Sequence, residues 1–398
     1  MNPDDPSEPQ ALDSLTSERL VKDTLAIPRG VRALYPSLVQ AVERALSACD
    51  AGAIESIHLS GSGDLLHSAM AVEIAFQRLT GIRTWAMPSM RFGLYAARDL
   101  SARSVVIQMS FSGKTARAVE AATMAGLAGA RVWALTSDAQ SPLAQLAERC
   151  ILKPDTGGNE AAGYPITMLL LYLVAVRVAE LRGRLGAAQA DALRGRLARS
   201  ADSMEQTLAQ CIEPARALAH EFIGAEHALF LGTGPTYGSA VNGSARILEA
   251  VGINASAQDI EEWAHLDRWV EECSSPRLVI APDGPGVERA GEILAAMQTL
   301  GKPSVAIVAD HAVELGSQAR AWLPVHCELP EEFSPLVYGL PGELFAHLLG
   351  AARKSRPYRH GHPAYERLGE IRWGGCIRRS LPAWDPEGPS RAAVPSQP

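Results

Sequence analysis

Short apolar runs alternate with longer alanine-rich stretches along most of the chain. The runs are rich in β-branched residues, as in "SIHLSG" (56–61) and "SVVIQM" (104–109), and the stretches that follow them have helical character. This alternation is typical of parallel strands joined by helices that cover both faces of the sheet. The pattern therefore predicts an α/β fold, in which ligands bind at the carboxyl ends of the strands.

The same pattern occurs twice in the chain. "SIHLSGSG" and "ALFLGTGP" both lead into a Gly-Ser/Thr-Gly turn, and later runs align Ile107 with Ile280 and Val132 with Val305. A repeat of this kind indicates two copies of one domain. The predicted parts are an N-terminal tail and lead-in helix (1–30), a first domain (31–190), a linker helix (191–222), a second domain (223–352) and a C-terminal tail with a disordered end (353–398).

Composition excludes several classes of protein. A net charge of −7 and a pI near 5.8 argue against a nucleic-acid binder, which usually carries a basic domain or stripe. The longest apolar run, Ile166 to Val176, is too short to span a bilayer, so we expect a buried helix and no membrane partner. Six widely separated cysteines and an acidic, Pro-rich N-terminus without a secretory pattern favour a cytoplasmic protein with reduced thiols.

The stretch "SFSGKT" (110–115) is the main candidate for ligand binding. Its Gly-Lys-Thr ending suggests a nucleotide-binding P-loop, but the glycine required five positions before Gly113 is Gln108, within an apolar run. Three hydroxyls, Ser110, Ser112 and Thr115, precede a helical stretch, and this arrangement suits one phosphate group because the helix dipole favours negative charge there. The alternative is a plain helix cap.

A second turn, "GSGD" at 61–64, is predicted at the same edge of the first sheet. It lacks the third glycine of a dinucleotide fingerprint and has no clear companion acid, so we predict no nucleotide cofactor. The second copy has Asp283 and two prolines where the first copy has its hydroxyls. We therefore expect one anion site per chain, in the first domain.

These motifs together resemble the sugar isomerase (SIS) domain family, in the tandem form found in the isomerase half of glucosamine-6-phosphate synthase and in fructosamine-phosphate deglycases. "SFSGKT" resembles the family's S-x-S-G-x-T sugar-phosphate loop, and "GSGDLLHSA" resembles its Gly-Thr-Ser turn. The stretch from Tyr237 to His265 is similar, without a gap, to the family segment that begins Y-P-I-A-L-E-G. The resemblance extends over about 21–349. It implies two tandem SIS domains, each a parallel sheet flanked by helices on both faces.

The resemblance also implies roles for individual residues. Glu249 stands where the family has its catalytic base, and His265 where it has the ring-opening or proton-shuttling histidine. Such a pair suits aldose-ketose isomerisation, or a related deamination or deglycation, through an enediol(amine). Without the resemblance, Glu249 would be interpreted as a charge on the surface of a helix. His265, which is close to Trp263 in the sequence, would be interpreted as a packed histidine. The implied phosphate-binding residues are Ser62, Ser110, Ser112, Gly113, Lys114 and Thr115.

The chain departs from the family at several positions. Gly63 replaces a serine, Lys114 replaces a glutamate, and "HLDRW" replaces the family's H-G-P. No lysine follows Lys354, so the sequence excludes the imine that the synthase forms with its C-terminal lysine. No glutaminase half is expected, because the chain starts with an acidic tail and lacks an N-terminal cysteine.

Two alternatives to an isomerase-like function remain open. One is a non-catalytic phosphosugar sensor, and another is an enzyme for a bulkier substrate whose site walls include Trp263 and Trp269. The "HGHP" stretch at 360–363 lacks a third metal ligand, so we predict no metal and no cofactor. The expected partners are a phosphorylated sugar or amino sugar and a second copy of the chain, because the resemblance implies a homodimer with shared sites.

Overall fold

The computed structural model describes residues 15–271 and 274–366, which form two compact units. The first-sheet unit contains 34–155 and 167–194, and the second-sheet unit contains the described residues of 15–33, 156–166 and 195–366. The start of the predicted N-terminal tail and the predicted disordered end lie outside the described residues. Three long helices are Ser17–Leu46, Gly163–Leu181 and Ala187–Glu221.

The first-sheet unit contains a five-stranded sheet in the order β2-β1-β3-β4-β5, in which all pairings are parallel. Its strands are β1 (Ser56–Gly61), β2 (Arg83–Pro88), β3 (Ser104–Met109), β4 (Arg131–Thr136) and β5 (Arg149–Leu152). Its shorter helical segments are Asp64–Thr80, Ser89–Arg91, the π-helix Phe92–Ala96, the 3-10 turn Ala97–Asp99, Ala116–Leu127 and Pro142–Leu146.

The second-sheet unit contains a parallel sheet in the order β10-β9-β8-β6-β7, which is the same relative order. Its strands are β6 (His227–Gly232), β7 (Asn254–Asp259), β8 (Arg277–Ala281), β9 (Ser304–Ala309) and β10 (Ala321–Val325). Its α-helices are Thr236–Arg246, Ile260–His265, Val287–Thr299, Val313–Ser317, Pro335–Tyr338, Leu340–Ala352 and Pro363–Glu366. A π-helix, Ile247–Val251, and the 3-10 turns Asp267–Trp269, Glu331–Phe333 and Pro357–Arg359 complete it.

Burial explains why the strands correspond to continuous apolar runs in the sequence. Every residue of the inner strands β3, β8 and β9 is buried, because helices flank the sheets and neither face of these strands meets water. Edge strands such as β2 are only partly buried. Two parallel sheets flanked by helices confirm the predicted α/β fold.

The apolar run from Ile166 to Val176 is buried, as predicted. The helix that contains it, Gly163–Leu181, has 19 residues and is apolar enough to cross a membrane by length and composition. However, 83% of its apolar window is buried inside the protein, which is typical of a core helix. The helix is thus longer than the apolar run that predicted it, while its burial was predicted correctly.

His58 in β1 is an ionisable group in the core of the first-sheet unit. Its ring stacks on Trp85 with centroids 5.2 Å apart and lies 5.7 Å from Phe92. Its Nδ1 has no hydrogen-bond partner among the described residues. Burial lowers the pKa of His58 to about 4, so the folded protein holds this imidazole neutral.

We predict that a His58→Phe variant is less sensitive to acid than the wild type. Between pH 6.5 and 4 the unfolded chain binds a proton at His58 that the folded chain does not, so the free energy of unfolding falls as pH falls. From pH 6.5 to 5 this loss is about 1.5 kcal/mol, because the unfolded histidine is already half protonated at pH 6.5. Urea unfolding of both proteins at these two pH values measures it, and equal losses would contradict the prediction.

Candidate functional site

The loop 110–115 joins β3 to the helix Ala116–Leu127 at the carboxyl edge of the first sheet. The loop is held by the segment that follows β4. Thr136 Oγ1 and the amide of Ser137 both donate to the carbonyl of Phe111 at 2.9 Å, and the amide of Leu143 donates to the carbonyl of Gly113 at 3.1 Å. The loop conformation is therefore fixed before any ligand binds.

Gly113 is the position where this loop requires glycine. Its φ is +64°, a left-handed value that side chains disfavour, and a Cβ placed there would lie 2.0 Å from Ser141 Oγ. Ser141 is itself fixed, because its hydroxyl accepts a hydrogen bond from the amide of Ala144 at the start of the next helix. The glycine thus allows close packing of two neighbouring loops.

The three hydroxyls do not act as a plain helix cap. Thr115 occupies the N-cap position, yet its side chain makes no capping hydrogen bond; its Oγ1 accepts instead from the buried Ser110 Oγ at 2.9 Å. Ser112 Oγ accepts from the amide of Lys114 at 3.3 Å. The first turn of the helix therefore has no side-chain cap, which leaves its N–H groups suited to an anion.

The turn with Ser62 lies at the same edge of the sheet. Strands β1 and β3 are parallel neighbours with Ser60 opposite Gln108, so Ser62 and Ser110 follow at corresponding positions. Ser62 is exposed, and Gly63 has a φ of +57° at the start of the helix Asp64–Thr80. The first sheet thus brings together the two predicted phosphate-binding turns. Lys114, which lies between Ser112 and Thr115 in the sequence, is exposed.

Lys153 is a residue at this edge that the sequence did not single out. It follows β5, is only 4% exposed, and donates from Nζ to Thr167 Oγ1 at 2.8 Å. The Nζ atom also lies 5.5 Å from the centroid of the Phe111 ring. Burial lowers the pKa of Lys153 to about 8, while the charge of Asp64 favours the protonated form. A buried cation therefore lies beside the loop 110–115.

In the second-sheet unit, Glu249 lies in the π-helix Ile247–Val251. Single π-helical turns often occur at functional sites. The side chain of Glu249 is 33% exposed, and its Oε2 accepts a 2.6 Å hydrogen bond from Nη1 of the buried Arg246. Arg246 also contacts Asn242 Oδ1 at 3.4 Å. A buried guanidinium thus orients a carboxylate that remains partly accessible.

His265 ends the short helix Ile260–His265 and is 65% exposed, so it is not a packed core histidine. Its Nε2 lies 3.2 Å from Glu261 Oε1, and Arg289 binds the same carboxylate. The exposed Trp269 donates from Nε1 to the carbonyl of His265 at 3.2 Å. Glu249 and His265 therefore each have a separate side-chain partner in this unit.

The two tryptophans near His265 differ in position. Trp263 is 1% exposed, packs in the core of the second-sheet unit and donates to Asp267 Oδ2 at 2.9 Å. Asp267 also binds the buried Arg277 at 2.8 Å. Trp263 is thus a core residue, so the hypothesis that it forms part of a substrate wall is wrong. Trp269, in contrast, is 70% exposed.

Other chemistry is limited in the described part of the chain. Residues 15–271 and 274–366 contain no group of three or more His, Cys, Asp or Glu that could hold a metal ion. The four cysteines within these ranges, Cys49, Cys150, Cys211 and Cys327, are free thiols.

Comparison with known proteins supports the resemblance found in the sequence, although no family model matches the chain. The glutamine–fructose-6-phosphate aminotransferase [isomerizing] of Treponema pallidum is 25% identical over 59% of this chain and 37% of its own length. The protein of that name from Symbiobacterium thermophilum is 28% identical over 62% of this chain and 40% of its own. The chain thus spans half or less of the length of these curated relatives.

Solved structures show the same fold. The C-terminal domain of glucosamine-fructose-6-phosphate aminotransferase from Francisella tularensis has a TM-score of 0.73 at 15% identity, covering 84% of this chain and 96% of its own. A putative tagatose-6-phosphate ketose/aldose isomerase from Clostridium novyi has a TM-score of 0.74 at 14% identity, with coverages of 89% and 94%. A glucosamine-6-phosphate deaminase from Thermotoga maritima has 0.66 at 15%, with coverages of 85% and 95%. The two units are therefore similar to tandem SIS domains.

We predict that Gly113→Ala destabilises the protein more than Gly129→Ala. Both glycines have positive φ, so both alanines carry backbone strain, but an alanine at 129 has no atom within 4 Å whereas one at 113 clashes with Ser141. Overpacking of this kind costs about 1–3 kcal/mol beyond the strain. Urea unfolding of the two variants measures the difference. Equal free energies of unfolding would contradict the prediction, because they would show that the loop can shift to accommodate the added methyl group.

Proposed function

We propose that this protein is a phosphosugar enzyme that catalyses aldose-ketose isomerisation, or a related deamination or deglycation, of a sugar or amino-sugar phosphate. The single observation that carries this proposal is the loop 110–115, whose hydroxyls leave the following helix uncapped at the carboxyl edge of a parallel sheet. This arrangement is suited to a phosphate monoester. The names of the relatives and of the structural neighbours, all concerned with sugar phosphates, agree with that ligand class.

Ser110, Ser112 and Thr115 hold the phosphate together with the backbone of Gly113, and Ser62 lies beside them. Lys114 supplies a solvent-exposed positive charge, and Lys153 supplies a buried one next to Phe111. Phosphate binding serves catalysis because binding energy from the unreactive end of a substrate positions the reacting carbons.

Glu249 is the base that moves a proton between C1 and C2 along the enediol(amine). The ion pair with Arg246 supports this role, since it fixes one carboxylate oxygen and leaves the side chain partly accessible. His265 acts on the ring oxygen or on the leaving group. Its high exposure supports a site that is completed in a homodimer, in which a histidine projects beyond its own subunit.

Imine chemistry at a C-terminal lysine is not part of this proposal. We also propose a cytoplasmic location, which the four free thiols support. A phosphosugar sensor without catalysis is the second candidate. It is favoured by the contact of His265 Nε2 with Glu261 Oε1 at 3.2 Å, because a ring nitrogen that is already occupied by a neighbouring carboxylate is less available to a substrate.

Solvent exchange distinguishes the enzyme from the sensor. The wild type, Glu249→Gln and the control Glu226→Gln are incubated in D2O with hexose and hexosamine 6-phosphates, and deuterium at C1 and C2 is followed by NMR. Glu226 is an exposed carboxylate at the opposite, amino end of β6. We expect exchange with the wild type and the control, and a loss of about 10²–10⁴-fold with Glu249→Gln.

Two results would contradict the enzyme proposal. Saturable binding of a sugar phosphate without exchange would identify a sensor. Neither binding nor exchange across the panel would exclude this ligand class.

We further predict that the affinity for a sugar 6-phosphate depends on pH through Lys153. Its pKa of about 8 rises when a phosphate dianion binds nearby, so the protonated form binds more tightly and affinity falls by up to about tenfold per pH unit above pH 8. Lys153→Met should weaken binding at pH 7 and remove this fall, whereas Lys114→Met should retain it. Calorimetric titrations at pH 7 and 9 test this, and a fall that persists in Lys153→Met would exclude the role.

A further inference from the structure

A cavity of about 500 Å³ lies beyond the carboxyl end of β10 in the second-sheet unit. One wall is the helix Ala187–Glu221, within its part from 195 onward, and the other is the loop that follows β10. Its lining includes Arg196, Arg199 and Ser203 from the helix, and Cys327, Glu328 and Leu329 from the loop. A volume of this size is in the range of small-molecule sites.

The helix is anchored to this end of the sheet by hydrogen bonds. The amide of His326 donates to Thr207 Oγ1 at 3.0 Å, and Cys211 Sγ donates to the carbonyl of Pro324 at 3.1 Å. Arg196, Arg199, Ser203 and Thr207 follow one another at spacings of three or four residues, so they lie on one face of the helix. The face that packs against β10 therefore continues into the two arginines of the cavity.

The cavity is positively charged although the chain carries a net charge of −7. Within the described ranges, neither Arg196 nor Arg199 forms an ion pair, and Glu328 is the one acidic residue of the lining. Burial raises the pKa of the Cys327 thiol to about 11, so this group adds no negative charge near neutral pH. Two guanidinium groups one helical turn apart are thus available to an anion.

The loop of the second sheet that corresponds to 110–115 does not offer such a site. Asp283 lies there, and its Oδ2 is 3.1 Å from His311 Nε2, while Asp310 pairs with His326 at 2.9 Å. These carboxylates repel a phosphate at the centre of the edge. At the carboxyl edge of this sheet, the positive charges of Arg196 and Arg199 instead lie beside β10, which is an edge strand.

We infer that this cavity is a second anion site, which binds a phosphorylated small molecule through Arg196 and Arg199. Arginine forms paired hydrogen bonds with phosphate oxygens. Two guanidinium groups one helical turn apart therefore match a ligand that has several negatively charged oxygen atoms. The hydroxyl of Ser203, a buried residue of the lining, provides a further contact. The site belongs to the second-sheet unit and does not depend on the proposed catalytic residues.

The test uses the full chain with Ser110→Ala and Ser112→Ala, so that phosphate binding by the loop 110–115 is weakened. Inorganic pyrophosphate is the probe. Binding is measured by calorimetry, and alkylation of Cys327 by iodoacetamide at pH 9 is followed by peptide mass spectrometry. We expect saturable binding, and we expect saturating pyrophosphate to slow alkylation of Cys327 at least fivefold.

Adding Arg196→Gln and Arg199→Gln should weaken binding at least tenfold and abolish the protection of Cys327. Arg216→Gln is the matched control, since this exposed arginine lies on the same helix and pairs only loosely with Glu213, at 3.8 Å; it should change neither readout. The inference is overturned if the background variant does not bind pyrophosphate, if the double arginine substitution leaves binding unchanged, or if bound pyrophosphate does not protect Cys327.

Discussion

Both faces of each parallel sheet are buried, and this burial decides where a ligand can bind. Helices flank the sheets, and the inner strands β3, β8 and β9 are buried along their whole length. The faces are therefore closed to ligands, and polar side chains that bind small molecules must lie in the loops beyond the strand ends. The loop 110–115, the turn at Ser62 and Lys153 all lie at the carboxyl edge of the first sheet.

The two sheets share a strand order but differ in the charge at this edge. In the first sheet, hydroxyls and an uncapped helix start are combined with a buried lysine. In the second sheet, Asp283 and Asp310 pair with His311 and His326, and the arginines lie to one side. The same strand order thus carries the proposed phosphate site in one unit, while the other unit carries Glu249 and His265 on segments that follow β6 and β7.

The fold was predictable because continuous apolar runs directly reflect strands buried on both faces. Glu249 could be located only through resemblance, since a glutamate in "ARILEAV" reads as a surface charge; its π-helical turn and its bond to Arg246 depend on backbone geometry that spacing does not encode. Gly113 is required because of Ser141, which lies in a different loop. No local signal marks Lys153 as buried, because its partner Thr167 becomes a neighbour only on folding.

We propose above all that the loop 110–115 holds the phosphate of a sugar phosphate. A crystal structure of the protein with glucosamine 6-phosphate tests this most directly. We expect phosphate oxygens within hydrogen-bond distance of Ser110, Ser112 and Thr115 and of the first N–H groups of the helix Ala116–Leu127. A structure in which the sugar phosphate is bound elsewhere, with this loop empty, would contradict it.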